Sequence, residues 1–299
     1  MPVSSEFQPR TLPEPAAMLT LIKPVTWFPP MWAYLCGVVS AGVSPAGQWH
    51  IVLLGVFLAG PVVCGMSQAA NDWCDRHVDA INEPNRPIPS GRVPGRWGLW
   101  IAVAMSLLSL AIGWQLGPWG FAATIVGVLA AWAYSVEPMR LKKSGIFGPG
   151  LVGLSYESLP WFTGAAVLSA GAPSLHIVTA ALLYGIGAHG IMTLNDFKAL
   201  EGDRQTGVNS LPVTLGPERA ARMACWVMAV PQVIVVGLLI VWDKPLHALG
   251  VFAVLIGQGM AMRVMLRDPK ARAPWYNGTG VLLYVSGMMI TAFAIRGLA

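Results

Sequence analysis

Apolar residues along this chain fall in long blocks separated by short polar connections. A bilayer-spanning helix needs roughly 20 predominantly apolar residues. Nine blocks approach that length, at about 27–43, 50–70, 98–116, 118–135, 147–169, 175–194, 220–241, 246–263 and 278–296. Trp27, Trp32, Trp49, Trp97, Trp100, Trp119, Trp132, Trp242 and Trp275 cluster near the block ends, as interfacial anchors do. The pattern predicts a helical membrane protein with nine spans. Residues 1–26 mix Pro with Glu6, Arg10, Glu14 and Lys23 and contain no apolar h-region, so no cleaved signal peptide is expected. The expected organisation is a cytoplasmic segment over 1–26 and a single membrane domain over 27–299.

Composition agrees. Charged residues make up 11% of the 299, and hydrophobic residues 55%. A soluble domain carries about 25% charge, so soluble, disordered and collagen-like chains are excluded. The net charge of +5 does not point to nucleic acid, because the basic residues sit in short loops between apolar blocks. Of the 19 Lys and Arg, 17 fall in the N-terminal segment or in the loops after spans two, four, six and eight; only Lys244 and Arg296 lie on the other side. The positive-inside rule places that richer side in the cytoplasm. An odd span count then puts the C-terminus on the opposite side. A multi-pass protein of a bacterial inner membrane is expected. Twelve of the 14 acids share the cytoplasmic side; Asp243 lies outside and Glu157 falls within a span. The four cysteines form no CxxC pair and read as packing residues.

Two of the cytoplasmic loops resemble each other. The first reads Asn71-Asp72-Trp73-Cys74-Asp75-Arg76-His77-Val78-Asp79, followed by Arg86-Pro87-Ile88-Pro89-Ser90-Gly91. The second reads Asn195-Asp196-Phe197-Lys198-Ala199-Leu200-Glu201-Gly202-Asp203-Arg204. Each opens on Asn-Asp and carries a further Asp seven residues after the first. This weak repeat suggests a pseudo-symmetric bundle around a central cavity. On a helix, Asp72, Asp75 and Asp79 fall within about 60° of one another, and Asp196 and Asp203 about 20° apart. Glu201 lies off that face unless the backbone breaks near Gly202. Carboxylates so clustered repel unless a cation neutralises them. Mg²⁺ suits oxygen-only ligands beside a phosphate. Two facing clusters would hold two Mg²⁺ ions with a diphosphate between them, and Arg86, Arg140, Lys142 and Lys143 would add positive charge. Any one of these acids alone would read as a solvated loop charge.

The first motif resembles the first Asp-rich motif of the UbiA-type intramembrane prenyltransferases, and the second resembles their second Asp-rich loop. One position departs, since Ala199 stands where many members have Asp. Further segments are similar to the chlorophyll and bacteriochlorophyll synthases of that family: Leu21-Ile22-Lys23-Pro24-Val25-Thr26-Trp27, Tyr134-Ser135-x-Glu137-Pro138-x-Arg140-Leu141-Lys142 and Gly153-Leu154-Ser155-Tyr156-Glu157. The Tyr156-Glu157 pair favours the bacteriochlorophyll branch. The resemblance implies esterification of bacteriochlorophyllide a by geranylgeranyl or phytyl diphosphate. It implies catalytic roles for Asp72, Asp75, Asp79, Asp196, Asp203 and Lys142. Metal ligands would be Asp72, Asp75, Asp79, Asp196, Glu201 and Asp203. Asn71, Arg86, Arg140, Lys143, Asn195 and Lys198 would bind diphosphate.

A propionate carboxylate attacking an ionising allylic carbon needs no strong protein base, in line with the lack of a Ser/His/Asp or Cys/His set. Tyr156, Glu157 and His189 are candidate acceptor contacts. For Glu157 the alternative is a carboxyl facing the cavity without a chemical role. For His189, a candidate ligand of a chlorin's central Mg, the commoner role is packing. The competing readings are a chlorophyll synthase, or a quinone or haem prenyltransferase. A transporter would place its ionisable residues near the midplane instead. Pigment-assembly proteins are expected partners beside the lipid bilayer.

Overall fold

The computed structural model describes residues 11–298. Glu6 and Arg10, used in the charge partition, lie outside the described residues. Among these residues the fold is helical, with a single isolated bridge between Ser144 and Asn209.

A short helix α1 (Pro15–Leu21) precedes α2 (Phe28–Ser40). Next, α3 (Trp49–Phe57) runs through a π-helical turn, Leu58–Cys64, into α4 (Gly65–Asn82). Pro61 sits inside that turn, where its missing N–H favours a local change of register. Helices α5 (Trp97–Gln115) and α6 (Gly117–Ser135) form an adjacent pair. A second interrupted rod follows: α7 (Phe147–Gly153), a π turn at Leu154–Ser158, and α8 (Leu159–Ser169). The rod α9 (Leu175–Asn195) continues through a 3₁₀ turn, Asp196–Ala199, into α10 (Leu200–Thr206). The short α11 (Leu211–Leu215) leads to α12 (Pro217–Val241), α13 (Pro245–Met265) and α14 (Pro269–Ile295).

Seven helices among the described residues are long and apolar enough to cross a membrane. The expected count of nine is not reached by that measure, for two local reasons. Helix α2 has 13 residues, about 20 Å of rise, and is short for a span. The rod over 147–169 carries Ser155, Tyr156, Glu157 and Ser158 at its centre, which dilute its apolar character.

Close backbone approach holds the bundle. A Cβ at Gly37 of α2 would sit 2.1 Å from the Trp161 carbonyl oxygen, and one at Gly164 of α8 would sit 2.1 Å from that of Tyr34. The two glycines are reciprocal, so α2 and α8 pack backbone to backbone, as small residues allow in membrane bundles. Trp161 Nε1 donates to Ser40 Oγ at 3.0 Å across the same seam. A buried polar chain links three further helices. Gln232 Nε2 donates to Gln258 Oε1 at 2.9 Å, and Gln258 Nε2 donates to the Tyr276 hydroxyl at 3.0 Å, which ties α12, α13 and α14 together.

Two rods position the motifs. Trp49–Asn82 is continuous over 34 residues, a rise of about 51 Å, against a hydrocarbon core of about 30 Å. The rod is therefore longer than the hydrocarbon is thick, and its last turns carry Asn71 to Asp79. Leu175–Thr206, with 32 residues, does the same for the second motif.

Candidate active site

Both motifs are helical continuations of these rods and share one cavity of about 1340 Å³. Asn71, Asp75 and Asp79 line it from α4, at a spacing of four residues that repeats along one helix face. Asn195, Asp196, Lys198, Glu201 and Asp203 line it from the facing rod. The 3₁₀ turn at Asp196–Ala199 changes the angular step between residues. The break thus comes before Gly202, and Glu201 reaches the cavity together with Asp196 and Asp203. The two motif helices meet near Gly202, where a Cβ would lie 3.4 Å from Asn82 Nδ2.

Basic residues complete the mouth. Arg86, Arg140, Lys142 and Lys143 all line the cavity. Lys142 Nζ donates to Asp75 Oδ1, and Arg140 donates to the same oxygen at 3.1 Å. Arg86 bridges Asp79 at 3.0 Å, Asp72 at 3.4 Å and Glu83. Glu137, on the surface, accepts from Lys143 at 2.7 Å and from Arg140 at 3.3 Å. A two-bond lacing holds this loop to the second motif: Gly145 N–H donates to the Asn209 carbonyl at 2.9 Å, and Asn209 N–H donates to that of Lys143 at 3.0 Å.

Asp72 departs from its expected place. Its carboxylate is 2% exposed and accepts from Lys23 at 2.7 Å. It lines a smaller pocket with Lys23, Arg86 and Arg92 and is not among the residues lining the main cavity. The repulsion among Asp72, Asp75 and Asp79 is therefore relieved by four side-chain cations: Lys23, Arg86, Arg140 and Lys142. Lys23, quoted in the sequence only as part of the N-terminal run, is one of them. The second motif differs. Among the described residues Asp196 and Asp203 form no ion pair, although Asp203 accepts from Ser210 Oγ at 2.7 Å. No cluster of three His, Cys, Asp or Glu side chains forms a closed metal cage among the described residues.

The electrostatics follow from burial and neighbours. Burial pulls the Lys142 ammonium below an ordinary lysine, and Asp75 offsets only part of this. Burial also works against the Arg86 charge, but Asp72, Asp79 and Glu83 prevail and hold it above its usual value. Hydrogen bonds from Lys143 and Arg140 hold Glu137 below the usual carboxylate range.

The cavity continues inward as an apolar channel past Val63, Ala123, Gly127, Leu159 and Pro160. Tyr156 and Glu157 project from the π turn into its wall. The Tyr156 hydroxyl accepts from Gln68 Nε2 at 3.1 Å and lies 3.2 Å from Cys64 Sγ. His189 is not among the lining residues. Its ring packs against Gly150 of α7, and Nδ1 lies 3.4 Å from Thr193 Oγ1. Asn277 of α14, which no motif flagged, does line the cavity and donates to Asn195 Oδ1 at 2.7 Å. Its amide stands alone in an apolar helix, and pairing with Asn195 is visible only in three dimensions.

The UbiA prenyltransferase family pattern matches residues 26–287. The chain belongs to the UbiA prenyltransferase family. This UbiA prenyltransferase is 71% identical over 298 residues to a bacteriochlorophyll synthase 33 kDa chain of Cereibacter sphaeroides, covering 100% of this chain and 99% of the relative. A chloroplastic chlorophyll synthase of Arabidopsis thaliana is 36% identical over 286 residues, 92% of this chain and 73% of the relative. The fold is shared with a UbiA homologue of Archaeoglobus fulgidus bound to DMAPP and Mg²⁺, with a TM-score of 0.71 at 18% identity over 95% of this chain and 100% of that one. This UbiA enzyme is thus a multi-span membrane prenyltransferase.

Proposed function

We propose that this enzyme is a bacteriochlorophyll a synthase, joining the propionate carboxylate of bacteriochlorophyllide a to geranylgeranyl or phytyl diphosphate. The observation that carries the choice of acceptor is identity across the full chain: 71% to a bacteriochlorophyll synthase, against 36% to a chlorophyll synthase. The cavity supports it. At about 1340 Å³ it exceeds the roughly 300–1,000 Å³ of common small-ligand pockets, as two large substrates require. A charged mouth for the diphosphate opens on an apolar channel for the tail.

The donor groups at the mouth fit magnesium. All are hard oxygen ligands: the carboxylates of Asp75, Asp79, Asp196, Glu201 and Asp203, with the Asn71 and Asn195 amides beside them. Two carboxylate sets on facing rods suit two ions, one for each. When bound, Mg²⁺ adds positive charge to the diphosphate oxygens. Arg86, Arg140, Lys142, Lys143 and Lys198 line the same space and stabilise the charge that grows as the allylic C1–O bond breaks, its electron pair leaving with diphosphate. A propionate oxygen forms the new bond to C1. The apolar channel keeps water from the allylic cation. Asp72 serves this site through Lys23 and Arg86.

Nine crossings with the N-terminal side and both motifs in the cytoplasm remain our topological reading, supported by the charge partition. The cavity draws its walls from α2, α3, α4, α6, α7, α8, α9, α10 and α14, which supports one membrane domain. We infer that a pigment-binding protein receives this apolar product. The test uses membranes containing the protein and labelled geranylgeranyl diphosphate. Label should enter bacteriochlorophyllide a and not 4-hydroxybenzoate. The reverse result overturns the assignment.

A further inference from the structure

One carboxyl group deep in the cavity wall is left unused by the diphosphate chemistry. Glu157 is 4% exposed and lines the cavity, and its Oε2 has no hydrogen-bond partner. No Lys, Arg or His forms an ion pair with it among the described residues. Its neighbours in the π turn are satisfied: Tyr156 by Gln68, and Ser158 Oγ by the Ala181 carbonyl at 2.8 Å. Such turns recur at functional sites because they re-aim side chains within a helix.

Depth says what Glu157 meets. Its neighbour Tyr156 touches Gln68, seven residues before Asp75 on α4. That is about 10 Å inward from the motif. The two substrate parts long enough to reach this depth from the mouth are the isoprenoid tail and the tetrapyrrole ring. The tail offers no hydrogen bond and would leave the buried oxygen unsatisfied. The ring carries peripheral carbonyls. A bacteriochlorophyllide bears an acetyl group where a chlorophyllide bears a vinyl group.

We propose that the Glu157 carboxyl O–H donates a hydrogen bond to the acetyl carbonyl of the acceptor ring, and so selects it over the vinyl-bearing ring. The inference rests on the function proposed above. A site built to hydrogen-bond a substrate group rejects the analogue lacking it, because its own polar atom is then left unpaired. The role is one of binding, and no bond to Glu157 forms or breaks.

The test compares the full-length enzyme in membranes with Glu157→Leu and Glu157→Gln, using geranylgeranyl diphosphate as donor. Acceptors are bacteriochlorophyllide a and chlorophyllide a, the latter followed by KM or, where it is not turned over, by competitive Ki. Glu157→Leu should raise KM for bacteriochlorophyllide a by about tenfold, with kcat within about threefold, and should lower the chlorophyllide value, because the vinyl-bearing ring then leaves no buried polar atom unpaired. Glu157→Gln, which keeps a donor, should retain most of the preference. An unchanged bacteriochlorophyllide KM, or an equal rise for both rings, overturns the inference. Should the Leu variant not accumulate, resonance Raman of acceptor bound to the wild-type enzyme decides. A lowered acetyl C=O stretch supports the contact, and an unshifted band overturns it. Wild-type enzyme that esterifies neither ring overturns the underlying function first, and is recognised before any variant is made.

Discussion

Lys23 Nζ lies 2.7 Å from Asp72 Oδ1, a pairing that joins the segment before α2 to the first Asp-rich helix. Asp72 is buried, whereas Lys23 keeps 27% of its side chain exposed. The pair ties chain segments 49 residues apart. Removing one partner of a buried pair costs about 3–5 kcal/mol, and the solvent at Lys23 reduces this here. Asp72→Asn should therefore lower stability by about 2 kcal/mol, read as a lower melting midpoint in detergent. The magnesium concentration giving half-maximal activity should stay within about twofold, because Asp72 does not line the main cavity and its carboxylate is held by Lys23 and Arg86. A large rise in that concentration would return Asp72 to the metal ligands.

Asp75 and Asp196 face the cavity from opposite rods. Asp75→Asn leaves Lys142 without its carboxylate and Arg140 with Glu137 alone, and Asp196→Asn removes an acid that forms no ion pair among the described residues. Each should lower kcat by about 10²-fold or more, the scale of losing one electrostatic contact to the transition state. Both should also raise the magnesium requirement. Activity within a few-fold of wild type in both variants would remove the metal-diphosphate site from these motifs.

Seven of the nine expected apolar blocks and the helical placement of the motifs were legible in the chain because they depend on local composition. Trp97–Gln115 and Gly117–Ser135 fall within two residues of the expected blocks. Partners separated by long stretches of sequence were not legible. The spacing of Asp72, Asp75 and Asp79 shows one helix face, and carboxylates on one face call for cations. It does not show that Lys23, Arg86, Arg140 and Lys142 supply them, since those residues come from three other segments. Nor does periodicity reveal that Asp72 turns to a second pocket, or that Asn277 reaches Asn195. His189 looked like an isolated polar group in a span; packing against Gly150 explains it. The π turns were invisible too, because a single extra residue per turn leaves hydropathy unchanged.

Lys142 should set an alkaline limit on activity. Burial lowers its pKa, so it loses its proton at lower pH than an exposed lysine. Its charge, and with it the attraction for the departing diphosphate, is present at low pH and is lost as pH rises through that lowered value. Activity should therefore fall on the alkaline side earlier than an ordinary lysine would dictate. Lys142→Arg keeps the charge throughout, because guanidinium stays protonated. It should move the alkaline limb of kcat/KM to higher pH even where its maximum rate is lower. Identical alkaline limbs for wild type and Lys142→Arg would show that another group sets the limit.

Gly145 tests how firmly the basic loop must be held. A Cβ at this position would lie 2.6 Å from the Leu211 N and 2.7 Å from the Asn209 carbonyl oxygen. Both are backbone atoms, so the clash cannot be relieved by turning a side chain. Gly145→Ala must separate the loop carrying Arg140, Lys142 and Lys143 from the segment after α10, stretching the two hydrogen bonds that lace them. Of the helices, only the first residue of α11, Leu211, is touched. Displacement of catalytic groups by about 1 Å costs on the order of 10²-fold in rate, so kcat/KM should fall by about that much while far-ultraviolet circular dichroism stays unchanged. Gly237→Ala on α12, where a Cβ would meet nothing within 4 Å, is the control and should remain within about twofold of wild type. Equal activity of Gly145→Ala and wild type would show that the loop reaches the diphosphate without being anchored to the second motif.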